Sequence, residues 1–302
     1  MRMQSTTAAP ARVAVARARP VALRRALPLI RWRALLLTLL AYAVAAVMLL
    51  PIWWMVSQSL TAERDIYQWP LRLVPDRPTL DNYVQIFSKP DVPMARWYFN
   101  SLLTAFGTTG LVLAVTSLAA YGYARLEFPG RNLLFFGLLS TMMIPGTVTF
   151  IPVFLILREL HLIDTYWALI LPHAAGVFGV FLLRQFMKAI PRELEEAAII
   201  DGANRLQIFW WIIVPLSRSA LAALAIFVFL ASWNDFLWPF VATNDMAMRT
   251  LPVGLTIFNG EYITERGLVM AGAAISSVPV LIVYAFFQQH IIKSLALTGL
   301  KG

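Results

Sequence analysis

The sequence contains no cysteine among its 302 residues and only three histidines. The lack of cysteine excludes disulfide bonds, thiolate metal ligands and a cysteine nucleophile. The histidines, at positions 161, 173 and 290, do not have the spacing of a metal-ligand set, so we expect no metal site. Charged residues make up only 14% of the chain, against about 25% in a soluble domain. Together with a hydrophobic content of 59%, this scarcity predicts an integral membrane protein.

Six apolar runs are each long enough for a transmembrane helix, which needs about 20 mainly apolar residues. We therefore expect an all-α integral membrane fold with six transmembrane helices. Prolines inside these runs do not exclude helices, because neighbouring groups in a membrane protein can satisfy the freed backbone. The predicted helices cover residues 34–56, 101–124, 133–157, 165–186, 216–240 and 268–291.

Basic residues are distributed unevenly between the segments that join these helices. With the N-terminus inside, the cytoplasmic segments and the interfaces next to them hold 17 of the 25 Lys and Arg residues. The positive-inside rule then places both termini in the cytoplasm, together with residues 187–215 between helices 4 and 5. Residues 57–100 and 241–267 would face outward. These two segments are either connecting loops or a landing surface for an extracytoplasmic partner, and the sequence does not decide between them.

Residues 1–33 form a basic N-terminal extension to the transmembrane domain, which we assign to residues 34–302. The extension contains eight arginines and no acidic residue. A cleavable signal peptide is the competing interpretation, but the apolar run that follows is too long for one. We expect an uncleaved anchor whose arginines fix the topology and contact anionic lipid. Nucleic-acid binding is disfavoured, because the basic excess adjoins the first helix and fits membrane insertion.

Residues 190–216 form a polar segment between two apolar runs, and they include four carboxylates. Such a segment must lie in water or against another protein. Glutamates crowd the start of a predicted helix, where the helix dipole favours negative charge. Gly202 is placed to end that helix in a left-handed conformation, and Asn204 can cap the next helix. This helix, turn and helix pattern favours a docking element over a solvated loop.

The same segment contains Glu196-Ala197-Ala198, then Gly202, and later Ile212 and Pro215. In this pattern it resembles the EAA loop of ABC-importer permease subunits. Val214 stands where leucine is usual, which is a mild departure. The resemblance extends over about residues 80–302, where it is closest to the second permease of maltose-type transporters. The other similar segments are 121–131, 142–146, 162–165, 181–186, 233–238 and 300–302.

The resemblance implies a non-catalytic subunit of an ATP-driven importer for a sugar or sugar-like solute, in a bacterial or archaeal cytoplasmic membrane. Its partners would be a second permease subunit, an extracytoplasmic solute-binding protein and two cytoplasmic ATPase subunits that bind ATP and Mg. A heterodimer of permeases is favoured and a homodimer stays open. The chain has no phosphate-binding loop of its own. The residues implied in docking to the ATPase are Glu193, Glu196, Ala197, Ala198, Asp201, Gly202, Ala203, Ile212 and Pro215, with Asp201 bracing the loop as an alternative.

Asn234 and Asp235 lie near the outer end of the fifth predicted helix, where polar residues are costly. They either line the pathway or gate it, or they form an interfacial cap braced by Trp233 and Trp238. An ion-coupled secondary transporter is the alternative class, but it would usually show internal repeats and charges at mid-membrane depth. The sequence does not identify the solute, and cargoes such as glycerol phosphate stay open.

Overall fold

The computed structural model of the chain describes residues 27–70, 72–260 and 265–299. Within these ranges the chain is helical and has no β-strand, which confirms the predicted all-α fold. Most of the predicted basic extension lies outside the described residues. The α-helices are α1 Leu27–Ser59, α2 Glu63–Ile66, α3 Asp81–Ser88, α4 Met94–Arg125, α5 Arg131–Ser140, α6 Gly146–Glu159, α7 Tyr166–Ile170, α8 Val177–Lys188, α9 Glu193–Ile200, α10 Arg205–Ile208, α11 Val214–Leu216, α12 Arg218–Trp233, α13 Leu237–Ala242, α14 Leu251–Gly254 and α15 Arg266–Gly299.

Three helices in the described ranges are long and apolar enough to cross a membrane unaided: Trp32–Ser59, Met94–Arg125 and Arg266–Phe287. Three further candidates are helix pairs with a bend between their members. The pairs are Arg131–Met143 with Gly146–Glu159 (97°), Tyr166–His173 with Val177–Lys188 (48°) and Arg205–Leu216 with Arg218–Trp233 (78°). Six spans result if each bent pair counts as one, so the predicted number of six stays a prediction.

The third predicted helix, 133–157, is broken near its middle. Ile144 adopts an extended conformation between the turn Thr141–Met143 and α6. The residue before a proline avoids the helical conformation, and Pro145 has no N–H to continue the hydrogen-bond ladder. A second proline, Pro152, lies inside α6 without ending it. Expecting one continuous helix over this run was therefore wrong.

The fifth predicted helix, 216–240, is also shorter than expected. Helix α12 ends at Trp233, and the short helix α13 begins at Leu237 after three intervening residues. Asn234 forms the C-terminal cap of α12 through its backbone N–H, which donates to the carbonyl of Leu230 at 3.1 Å. The polar pair 234–235 thus marks a helix boundary.

The chain divides into two compact units at residue 51, inside α1. In the first unit, the described side chains of α1 from Trp32 onward are exposed. Apolar residues dominate this helix, so its surface is suited to lipid or to another protein. The second unit, from Ile52 onward, contains all the other helices.

Helix α4 is central to the second unit, where it packs against α8 and α12. A side chain at Gly179 of α8 would lie 3.0 Å from Leu224 and 3.1 Å from Thr116. The three helices therefore approach closely at this point, and small residues allow that in membrane proteins. One core cluster surrounds the Arg125 end of α4 and includes Tyr121. A second cluster surrounds the Met94 end.

Candidate functional site

The polar segment 190–216 forms a helix, a turn and a second helix. Helix α9 ends at Ile200, and Gly202 follows with a φ of +86°. The N–H of Gly202 donates to Ile199 at 3.0 Å, and that of Ala203 donates to Ala198 at 2.9 Å. These bonds satisfy carbonyls that the last turn of a helix leaves unpaired. The predicted left-handed conformation of Gly202 is confirmed.

Asn204 begins the second helix with a capping box. Its side chain accepts a hydrogen bond from the backbone N–H of Gln207 at 2.9 Å, and the Gln207 side chain accepts the N–H of Asn204 at 2.8 Å. The predicted cap is thus confirmed. Helix α10 continues as one turn of π-helix over Phe209–Ile213. It then reaches Pro215, which has no N–H to donate.

The nine residues implied in docking differ in their exposure. Six of them are exposed: Glu193, Glu196, Ala197, Asp201, Gly202 and Pro215. The other three, Ala198, Ala203 and Ile212, are partly buried and pack against the core cluster at the Arg125 end of α4. These three therefore also hold the segment against its own chain.

Glu195 is the functional candidate that the sequence pattern did not identify. It lies on α9 between exposed glutamates, yet its side chain is only 7% exposed. Its Oε1 lies 2.8 Å from Nε of Arg125, whose side chain is 4% exposed. Glu195 precedes Ala198 by three positions and so shares a face with this partly buried residue. That spacing was the one available sign of its burial.

Further contacts surround this ion pair. Nη2 of Arg125 donates to the carbonyl of Ile190 at 2.6 Å. The hydroxyl of Tyr121 donates to the carbonyl of Arg205 at 3.3 Å. Nε of Arg184 donates to the carbonyl of Tyr123 at 3.2 Å, which joins α8 to α4. The Arg125 end of α4 is therefore bound to three neighbouring parts of the chain.

A cleft of about 570 Å³ lies between α9 and the residues that follow α4. Charges of both signs line it, with arginine contributed by the loop before α9 and by α10. Arg192 and Glu127 face each other at 3.6 Å, and both are exposed. Its lining residues are Arg125, Leu126, Glu127, Phe128, Arg192, Glu195, Glu196, Ile199 and Arg205.

The pair Asn234 and Asp235 lies at the break between α12 and α13. Nδ2 of Asn234 donates to the carbonyl of Leu230 at 2.8 Å. Oδ1 of Asp235 accepts the N–H of Trp238 at 3.4 Å, and its Oδ2 lies 3.6 Å from Nε2 of His173. These local contacts are those of residues that cap helices. A role of the pair in the pathway stays a prediction.

The indoles that flank this pair are buried and hydrogen-bonded. Trp233 donates to the carbonyl of Ser276 at 3.0 Å, and Trp238 donates to that of Ala168 at 2.8 Å. The break is therefore fixed to α15 and α7. Among the described residues, no group of three or more His, Asp or Glu side chains could hold a metal ion.

Comparisons with known proteins extend over most of the chain. The family described as "Binding-protein-dependent transport system inner membrane component" matches residues 108–296. The arabinooligosaccharides transport system permease protein AraQ of Bacillus subtilis is 35% identical over 268 residues, which cover 88% of this chain and 95% of that protein. The trehalose/maltose transport system permease protein MalG of Thermococcus litoralis is 34% identical over 271 residues, covering 89% and 97%.

The fold is also similar to that of a solved transporter. A chain of a bacterial ABC transporter involved in the import of the acidic polysaccharide alginate matches with a TM-score of 0.76 at 26% identity. The match covers 86% of this chain and 96% of that chain. The similarity therefore extends well beyond the polar segment.

Proposed function

Because the chain belongs to the binding-protein-dependent transport system inner membrane components and is a permease subunit of an ABC importer, we propose that its cargo is a carbohydrate. AraQ is named for the transport of arabino-oligosaccharides, and MalG for that of trehalose and maltose. Both relatives are similar to this chain over nearly their whole lengths, which supports a cargo of the same chemical class. A glycerol phosphate is the alternative that the uptake experiment below separates.

The exposed face of α9 is proposed as the docking site for a cytoplasmic ATPase subunit. The proposal rests on apolar side chains that are exposed on a segment too polar to lie in the bilayer. Ile200 is 86% exposed beside Asp201 and Gly202, and Leu194 is exposed near the start of the helix. Apolar side chains exposed beside carboxylates suit a protein partner, which can pair the charges and bury the apolar groups.

The proposed roles of the docking residues follow from their positions. Glu193 and Glu196 would contact basic groups of the ATPase, where charge-assisted hydrogen bonds are strong. Ala197 would allow close approach, and Gly202 would set the turn. ATP and Mg would bind the ATPase subunits, and closure of their pair would move α9 with the helices attached to it as rigid bodies.

A second permease subunit and a solute-binding protein complete the proposed assembly. Six spans are few to enclose a pathway alone, and this favours a dimer of permeases. The family description itself names dependence on a binding protein. This partner would meet the outward segments, including residues 57–100. The membrane would be the cytoplasmic membrane, with both termini inside.

Uptake measurements test the cargo. Cells that lack the chain would be given labelled sugars and glycerol phosphates, with and without the intact chain restored. We expect the loss of one carbohydrate, restored by the intact chain but not by Gly202→Asp. If every carbohydrate enters normally and a glycerol phosphate is lost, the carbohydrate assignment fails and the importer assignment stands.

Co-purification tests the docking site. Glu196→Lys and Gly202→Asp should each reduce the amount of ATPase subunit recovered with the chain. Glu159→Lys is the matched control, because it reverses an exposed carboxylate outside the segment. Recovery of the ATPase at the wild-type level with both segment variants would refute docking through α9.

A pathway role for Asn234 and Asp235 is a separate proposal. Asn234 is exposed and Asp235 is partly buried at the break between α12 and α13, where their polar groups would be open to a passing solute. Asn234→Ala should change the apparent affinity for solute while ATPase co-purification stays unchanged. Unaltered uptake kinetics would leave the pair with its capping role alone.

A further inference from the structure

The Arg125 end of α4 holds the coupling segment 190–216 through a buried ion pair. Arg125 and Glu195 lie 2.8 Å apart, and each side chain is at least nine-tenths buried. The two residues belong to helices that are distant in the sequence. The pair therefore fixes α9 to a helix that does not adjoin it along the chain.

The same end of α4 also contacts the segment on either side of α9. Arg125 donates to the carbonyl of Ile190, just before the helix. Tyr121 donates to the carbonyl of Arg205, after the turn, and its ring lies 5.3 Å from that of Phe209. The residue before α9, α9 itself and the residues after the turn are thus all bound to α4.

The chemistry of the pair suits orientation more than stability. Burying two charges costs desolvation energy, and well-packed apolar side chains often serve stability as well or better. A guanidinium group, in contrast, has several donors in a rigid plane. Nε of Arg125 lies 2.8 Å from Oε1 of Glu195 as a charge contact without hydrogen-bond geometry, and Nη2 donates to the carbonyl of Ile190, so one guanidinium group contacts two points of the segment. The exposed pair of Arg192 and Glu127 offers no such constraint.

The opposite end of α4 is bound to another loop. Trp97 donates to the carbonyl of Met246 at 2.7 Å. Asn100 donates to the carbonyls of Ala247 and Arg249 at 2.8 and 2.9 Å. Between these contacts and Arg125, α4 is one uninterrupted helix of 32 residues, about 48 Å long at 1.5 Å per residue. It therefore joins the coupling segment to residues 246–249 by a single continuous element.

We propose that Arg125 and Glu195 are positioning residues that fix α9 to α4, so that a movement of α9 is transmitted along α4 to residues 246–249. The inference rests on the proposed docking of an ATPase subunit to α9. It goes further by assigning the transmission to a buried pair that is not among the residues proposed to dock. Without the pair, α9 still docks, but its movement no longer sets the position of α4.

The first test measures coupling in the complete transporter, reconstituted in proteoliposomes with its ATPase subunits, second permease and solute-binding protein. Glu195→Gln keeps the shape of the side chain and removes its charge. We expect normal recovery of the ATPase, with solute transported per ATP hydrolysed reduced about 5-fold or more, within the usual range of coupling between sites. Glu127→Gln is the matched control and should leave the ratio unchanged, because its ion pair is exposed.

Arg125→Lys provides a second variant that keeps the charge. A single ammonium group lacks the planar spread of the guanidinium, which places Nε against the Glu195 carboxylate while Nη2 donates to the carbonyl of Ile190. We expect this variant to accumulate and bind the ATPase, with a reduced transport ratio. If Glu195→Gln fails to accumulate in the membrane, Arg125→Lys alone tests the positioning role.

The second test measures the position of α9 without any partner. The chain has no cysteine, so spin labels can be attached at Ile200→Cys and Leu118→Cys, both exposed positions on α9 and α4. We expect a narrow distribution of distances in the otherwise unchanged chain and with Glu127→Gln. Glu195→Gln and Arg125→Lys should broaden it.

Two results would overturn the positioning role: an unchanged transport ratio in both variants, or loss of ATPase recovery in the same proportion as loss of transport. The second result would mean that the pair merely maintains the docking fold. If the unchanged chain does not recover the ATPase at all, the proposed docking fails instead. In that case the spin-label distances still test whether the pair positions α9.

Discussion

The hydroxyl of Tyr166 donates a hydrogen bond to Oδ1 of Asn100 at 2.7 Å and so joins α7 to α4. Asn100 is fully buried, and its Nδ2 donates to the carbonyls of Ala247 and Arg249. One amide therefore satisfies a hydroxyl and two carbonyls from separate parts of the chain. Buried polar groups of this kind are costly to leave without partners.

Asn100→Leu should destabilise the chain, because it removes the partner of all three groups at once. We expect the free energy of unfolding to fall by about 1–3 kcal/mol or more, which is the desolvation cost of an unsatisfied buried polar group. Thermal unfolding of the purified chain in detergent measures it. Ser140→Ala is the control, since it removes one exposed local hydrogen bond. Equal melting temperatures for the two variants would contradict the assigned role of Asn100.

Gly202→Ala should strain the turn after α9 without any steric clash. The φ of Gly202 is +86°, and no atom lies within 4 Å of an added Cβ. The expected cost is about 1–2 kcal/mol, that of a left-handed conformation for a residue with a Cβ. The melting temperature of the chain and the amount of ATPase subunit that co-purifies with it should both fall.

Gly122→Ala is the matched control for this substitution. Gly122 also has open space around its Cβ position, but it lies inside α4 with ordinary helical geometry. Alanine there should stabilise the helix by up to about 1 kcal/mol. If both glycine variants change stability in the same direction, the left-handed backbone conformation of Gly202 is not the cause of the effect.

Glu63→Ala should loosen the start of α15. The carboxylate of Glu63 accepts the backbone N–H groups of Arg266 at 3.0 Å and Gly267 at 2.6 Å. Loss of such a cap costs about 1 kcal/mol, and the negative charge also favours a helix N-terminus. Hydrogen exchange at residues 266–269 should accelerate, whereas Asp91→Asn, at an exposed position, should leave it unchanged. Unaltered exchange in Glu63→Ala would refute the capping role.

The local features of the polar segment 190–216 were predictable because their causes are local. Gly202 and Asn204 act on backbone groups within four residues, and glycine and asparagine are the residue types that such ends require. The family resemblance also included Gly202, together with Glu196-Ala197-Ala198, Ile212 and Pro215, and the match over residues 108–296 bears it out. Features set by contacts within a few residues could thus be predicted from the sequence.

The partner of Glu195 was not predictable, because it lies 70 positions away on another helix. Nothing in the local pattern distinguishes Arg125 from an arginine that faces water at the end of a transmembrane helix. The break at Ile144 was missed for a different reason. Membrane helices often contain prolines, so a proline alone does not show whether the helix continues, as it does at Pro152.

The orientation of the chain is the remaining prediction that can be tested directly. The chain has no cysteine, so one introduced thiol gives an unambiguous signal with a membrane-impermeant maleimide. Ile200→Cys and Trp69→Cys place it at positions that are 86% and 85% exposed in the parent chain. The excess of basic residues predicts that Trp69→Cys reacts in intact cells, whereas Ile200→Cys reacts only after the membrane is opened. Labelling with the opposite pattern would put α9 outside the cell, where no cytoplasmic ATPase could reach it, and the proposed coupling would fail with the orientation.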